Sequence, residues 1–187
     1  MLNICVFSGS TPGVDPAFMA VAGELGEALA EAGFGLVYGG GAAGLMGAVS
    51  EGALRRGGQV TGVIPSALME LELGRTDIGD LRVVPNMHER KALMYELSAA
   101  FVTLPGGLGT YDEFFETATW TKLGLHTKPS LVLDVGGYYA PLRAMLDHAV
   151  QNGFFTDADR ELISFHDNVA GVLEALRELP GTTAPPR

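Results

Sequence analysis

Three short stretches of this sequence combine glycine with small residues in a way that suits an anion. They are Ser8-Gly9-Ser10, Gly39-Gly40-Gly41 and Pro105-Gly106-Gly107-Leu108-Gly109-Thr110. Glycine carries no Cβ, so its backbone N–H can turn toward a ligand and approach it closely. Where such a stretch joins a strand to a helix, the first N–H groups of the helix and its dipole add partial positive charge. A phosphate is the ligand this chemistry fits. Ser8, Gly9, Gly40, Gly41 and the run from Gly106 through Gly107, Leu108 and Gly109 to Thr110 are the candidate contacts. Tight turns without a ligand are the plainer alternative, and three of them together weigh against it. The spacing also excludes familiar nucleotide sites. There is no GxxxxGK[ST], hence no P-loop, and the first strand is not followed by GxGxxG. No acidic residue closes the second strand to hold a ribose, so a dinucleotide is disfavoured.

Two charged constellations accompany the turns. Thr110 is placed to cap a helix beginning near Tyr111, which puts Asp112 and Glu113 in its first turn. Acidic residues are common there for the sake of the dipole alone. Glu113 stands out because it follows the glycine loop within a turn and so faces the same pocket. Glu116 and Trp120 extend its stripe at i+3 and i+7. A carboxylate buried in that position suits general-base work. The second constellation is Met87-His88-Glu89-Arg90-Lys91. Arg90 and Lys91 fall near the start of a helix, where positive charge opposes the dipole, and contact with an anion would explain them. A solvated surface pair is the alternative. Lys91 is one of just three lysines, the others being Lys122 and Lys128.

Short apolar runs alternate with helix-period segments, and these elements must carry the turns. Strands are expected over Leu2–Phe7, Gly35–Tyr38, Gln59–Ile64, Leu81–Val84, Ala99–Leu104 and Ser130–Val135. Helices are expected from Asp15 or Pro16 to Ala32, through Leu45–Leu54, and over Met87–Ser98, Tyr111–Leu123, Tyr138–Asn152 and Val169–Leu179. Residues 66–80 read as helix fragments and loop. Strands apolar on both faces require cover on both sides. The fold class is therefore α/β, a Rossmann-like doubly wound parallel sheet with helices on both faces. One domain over residues 1–180 and a frayed tail over 181–187 are expected.

Composition narrows the partners. The chain has 187 residues, 47% hydrophobic and 18% charged, an ordinary globular balance. A net charge of −10 disfavours nucleic acid, which needs a basic surface to displace counterions. Cys5 is the single cysteine and sits in an apolar run, a core residue. His88, His126, His148 and His166 show no metal-ligand spacing, so neither a metal nor another cofactor is expected. No apolar run is long enough for a membrane span, and the N-terminus leads straight into a strand. A cytoplasmic protein is the expectation.

At PGGLGTYDE (Pro105–Glu113) the sequence fits the pattern PGGxGTxxE, and MHERK lies upstream at the matching distance. With the VFSGS opening, YGGGAAGLMG, TWTKLGLHTKP and GGYYAPL, these motifs resemble the Lonely Guy family over nearly the whole chain. Members are cytokinin riboside 5′-monophosphate phosphoribohydrolases. The resemblance implies hydrolysis of a cytokinin nucleotide, or AMP, to free base and ribose 5-phosphate. It implies catalytic roles for Arg90 and Glu113. It places Lys91 and Gly107-Leu108-Gly109-Thr110 on the phosphoribosyl group, and adds Glu72 and Thr119 as substrate contacts. It further implies a homodimer with the pocket near the subunit interface. The chain departs from the pattern at Gly136, where many relatives carry aspartate, and at Arg75, where histidine is frequent.

Cleaving an N-glycosidic bond builds an oxocarbenium-like ribose, which a neighbouring carboxylate stabilises while activating water or attacking covalently. Glu113 fits that part. Arg90 stays protonated, so its work is electrostatic. Three other readings compete. Relatives often carry the label lysine decarboxylase, but pyridoxal phosphate needs a Schiff-base lysine, and Lys91 is the sole candidate. A non-catalytic carrier of a nucleotide or phosphate-bearing cofactor would have the same glycine edge, though little use for Arg90 beside Glu113. A hydrolase confined to AMP would share the chemistry.

Overall fold

In β1 (Asn3–Phe7) the side chains alternate between two cores. Ile4 and Val6 enter one, Cys5 and Phe7 the other, and all four are at most 1% exposed. A strand sealed on both faces needs a helix layer on each side, and the computed structural model, which describes residues 1–69 and 77–181, supplies both. After β1 come α1 (Pro16–Glu31), β2 (Gly35–Tyr38), α2 (Gly44–Arg55), β3 (Val60–Pro65) and β4 (Asp80–Val84). Then follow α3 (Met87–Glu96), β5 (Ala100–Thr103), α4 (Leu108–Lys122), β6 (Ser130–Leu133) and α5 (Ala140–Gln151). The described chain closes with α6 (Asp157–Glu161), β7 (Ile163–His166) and α7 (Val169–Arg177).

The strands form one parallel sheet in the order β4-β3-β2-β1-β5-β6-β7. On one face α1 (Leu25, Leu29), α2 (Leu45, Val49) and α7 (Val172, Leu176) pack on Ile4, Leu36 and Val102. On the other, Met94 and Tyr95 of α3 cover Phe7 and Phe101, and Phe114 of α4 joins Leu142 and Leu146 of α5 over Val132. The doubly wound class is what the alternating pattern implied. The α1–α2 crossing is tight enough to need glycine: a Cβ on Gly26 would lie 2.0 Å from the Val49 carbonyl oxygen. Among the described residues, no helix is long and apolar enough to cross a membrane.

Several boundaries differ from the expectation. α4 starts at Leu108, with Gly107 in the extended N-cap conformation (φ −101°, ψ −152°). Thr110 thus belongs to the first turn and is no cap, while Asp112 and Glu113 move to the second. The glycines of the loop masked a first helical turn that composition reads as irregular. α5 begins at Ala140 because Gly136 and Gly137 (φ 61° and 78°) make a left-handed turn just before it. α6 and β7 were not anticipated. α6 is only five residues long, held by a capping box between Thr156 and Asp159. β7 is an edge strand whose Ser164 and His166 dilute the apolar signal. Glu72 and Arg75, and the expected tail beyond Gly181, lie outside the described residues.

Candidate active site

Strand order reverses between β1 and β5, the point at which an open parallel sheet leaves a crevice at its carboxyl edge. A cleft of about 250 Å³ lies there. Ser8, Gly9 and Ser10 line it after β1, Gly39 after β2, and Gly107, Leu108, Gly109 and Thr110 where α4 begins. Arg90 and Glu113 complete the polar wall, and Val6, Met46, Leu68 and Met87 form the apolar one. Val6, Met46 and Leu68 were not foreseen as lining residues, and Met87 was named only as the first residue of the charged run that carries Arg90.

The turns interlock. The Gly9 N–H donates to the Pro105 carbonyl at 3.0 Å, and the Met46 N–H, from the start of α2, donates to the Gly9 carbonyl at 3.3 Å. A Cβ on Gly9 would sit 3.1 Å from Gly106 Cα, and one on Gly106 would sit 2.8 Å from Gly9 N as well as 2.1 Å from Thr110 Oγ1. Gly9 and Gly106 are therefore glycines because two loops touch backbone to backbone. Gly40 (φ 80°) packs against Ile64 and Leu81. Gly40, Gly41 and Gly106 shape the turns without lining the cleft. Ser8 does line it, and its buried hydroxyl has no hydrogen-bond partner within the described protein.

Arg90 is 4% exposed. Its Nε donates to the Val63 carbonyl at 3.1 Å, within β3, and its Nη2 to the Gly39 carbonyl at 2.8 Å, just after β2. A Cβ on Gly39 would lie 2.2 Å from that Nη2, so the glycine makes room for the guanidinium. The sequence assigned no role to Gly39 beyond membership of a glycine turn. Glu113 is 8% exposed and reaches the cleft from the second turn of α4.

Lys91 is not among the lining residues. Its Nζ lies 3.0 Å from Asp112 Oδ2 and 3.0 Å from Glu116 Oε2. Burial works to lower its pKa, but the two carboxylates outweigh that and hold the ammonium above the usual lysine value. The Tyr95 hydroxyl donates to Glu116, and burial followed by that carboxylate pushes the phenol well above its ordinary pKa. Trp120 meets the Tyr95 ring edge-on at 4.9 Å. The stripe from Glu116 to Trp120 thus lashes α4 to α3 beside Arg90 and Glu113. Thr119 is exposed on another side of α4, in an apolar groove with Phe115, Met145 and Phe154.

Residues 46–176 match the protein family described as "Possible lysine decarboxylase". The cytokinin riboside 5′-monophosphate phosphoribohydrolase of Rhodococcoides fascians is 43% identical over 176 residues, 94% of this chain and 89% of that protein. One from Arabidopsis thaliana is likewise 43% identical over 176 residues, 94% of this chain and 81% of its own. The chain belongs to the Lonely Guy family. Among solved structures, the Moco carrier protein of Chlamydomonas reinhardtii has the same fold, with TM-score 0.70 and 22% identity over 95% of this chain and 96% of that one. The decarboxylase wording of the family does not fit this Lonely Guy cleft. Pyridoxal phosphate would need a lysine within it, yet Lys91 is held by its two carboxylates, Lys122 pairs with Asp159 at 3.1 Å, and Lys128 donates to the Tyr95 carbonyl.

Proposed function

We propose that the protein hydrolyses the N-glycosidic bond of adenine-type nucleoside 5′-monophosphates, cytokinin riboside 5′-monophosphates and AMP among them, releasing the base and ribose 5-phosphate. One observation carries the reading. A carboxylate and a guanidinium, Glu113 and Arg90, both under a tenth exposed, share one cleft whose rim is the glycine-rich start of a helix. The helix N-terminus is the natural seat for the 5′-phosphate, whose binding energy then orients the ribose. Glu113 stabilises the oxocarbenium-like sugar and takes a proton from the attacking water as its oxygen bonds to the anomeric carbon. The bond to the base nitrogen breaks with its electron pair on the base, which recovers the proton. Arg90, held by the Val63 and Gly39 carbonyls before substrate arrives, offsets negative charge on the phosphate or the departing base. Of the further contacts that the family resemblance implies, Glu72 is kept in this reading, whereas Lys91 supports the site from behind through Asp112 and Glu116 and Thr119 opens into the separate groove on α4.

The working form in this reading is a cytoplasmic homodimer with the cleft near the subunit boundary. Leu108, 88% exposed at the rim, and Met87, 38% exposed, give an apolar edge that a second copy would cover. The deciding experiment incubates the purified protein with AMP and with isopentenyladenosine 5′-monophosphate and follows free base by chromatography. Base and ribose 5-phosphate in equal amounts are expected. Nucleotide binding without base release from either would overturn the hydrolase reading.

A further inference from the structure

The GGYYA segment is one of the motifs that the reaction leaves unused. Gly136 and Gly137 turn the chain through left-handed backbone so that two adjacent tyrosines reach back to the loop after β5. Tyr138 Oη donates to the Gly106 carbonyl at 2.6 Å, and Tyr139 Oη donates to the Leu104 carbonyl at 2.7 Å. The carbonyl between them, that of Pro105, accepts from Gly9 at 3.0 Å. Three consecutive loop carbonyls are thus each fixed by a donor from elsewhere in the chain.

In a trans peptide the C=O and N–H point in opposite directions. Holding the Gly106 oxygen therefore holds the Gly107 N–H, aimed away from Tyr138. Gly107 lines the cleft and Tyr138 does not. The peptide joining these residues is flanked by glycine on both sides, so rotating it by half a turn meets little steric resistance. After such a rotation a carbonyl oxygen would stand where the donor had been, and an anion would meet a negative dipole.

We propose that Tyr138 is a positioning residue, a latch whose hydroxyl fixes the Gly106–Gly107 peptide with its N–H toward the cleft and so sets the affinity for the 5′-phosphate. The inference rests on the phosphate seat described under the proposed function. Tyr139 does a different job. The peptide after Leu104 leads into Pro105 and has no N–H to aim, so the buried Tyr139 phenol serves stability alone.

The two roles separate experimentally. Tyr138→Phe keeps the ring against Phe18 and Tyr139 and removes only the donor. With inorganic phosphate as the probe in titration calorimetry, its affinity should fall about five- to tenfold. KM for AMP should rise by a similar factor, with turnover recovered at saturating AMP. Tyr139→Phe should lower the melting temperature more than Tyr138→Phe while keeping phosphate affinity within about twofold of the parent. A merely structural role for both phenols would make Tyr139→Phe the more damaging to phosphate affinity as well, because Tyr139 is the more deeply buried. In the parent, phosphate should slow exchange of the Gly107 amide, read residue by residue by NMR.

Unchanged phosphate affinity in Tyr138→Phe would overturn the latch, and so would a parent Gly107 amide indifferent to phosphate. The second measurement decides the matter even if the variant folds badly. Neither needs turnover. A parent that binds phosphate through a latched loop but releases no base from AMP would sink the reaction and leave the latch standing.

Discussion

At the scale of single residues, the site is built by backbone as much as by side chains. The carbonyls of Val63 and Gly39 orient the Arg90 guanidinium, and the second of these works only because residue 39 has no Cβ. Gly39→Ala is expected to push the guanidinium aside and lower kcat/KM for AMP by roughly ten- to a hundredfold, since misplacement of about 1 Å costs on that order. Activity within about twofold of the parent would show that Arg90 does not need this seat. Glu113→Gln should lower kcat by about 10²–10⁴ while nucleotide binding, followed by calorimetry, is retained. A loss below about tenfold would move the catalytic role to another residue. Glu113 was legible in the sequence because the glycine loop lies within two turns of it. The seat of Arg90 was not, because its partner carbonyl on Gly39 is 51 residues away. The same holds for Lys91, whose carboxylate partner Asp112 lies 21 residues downstream and turns a presumed anion contact into an ion pair.

Among elements, the α1–α2 crossing makes the sharpest demand. A methyl group at Gly26 would lie 2.0 Å from a carbonyl oxygen of α2, and one at Gly52 would lie 2.1 Å from the carbonyl of Gly23. These are backbone atoms on both sides, so the helices must move apart. Gly26→Ala should cost about 1–3 kcal/mol of stability and several degrees of melting temperature. An unchanged melting curve would mean that the crossing has slack. Strands such as Gly35–Tyr38, buried along its whole length, announced themselves by continuous apolar character. Ile163–His166 did not, since an edge strand needs only part of its surface to be apolar. The start of α4 was displaced for a related reason: glycine reads as loop whether or not a neighbouring strand end has already oriented the first helical turn.

The whole molecule responds to acid through groups that do not line the cleft. Burial, with a smaller contribution from Lys128, lowers the pKa of His126. Burial likewise lowers that of His166, partly countered by Asp167. A histidine whose folded pKa is depressed binds its proton more readily when unfolded. Its contribution to stability is complete above the unfolded value of 6.5 and is lost as pH falls through 6.5 toward the lower folded value. The melting temperature should therefore fall between about pH 7.5 and pH 5. His126→Gln should flatten that slope, and an unaltered slope would assign it to other groups.

The strand order also has a temporal consequence. β1 to β4 lie side by side in the order of synthesis, whereas β5, the other neighbour of β1, is made nearly a hundred residues after it. A nascent chain can thus assemble one half of the sheet while Ile4–Phe7 still presents an open, apolar edge that is not closed until Ala100–Thr103 emerges. Arg90 precedes that closure and Glu113 follows it. The cleft comes into being only when the two halves of the sheet join, so a ribosome-bound or truncated chain ending before α4 would hold one wall of the site, its guanidinium in place, and no carboxylate to face it.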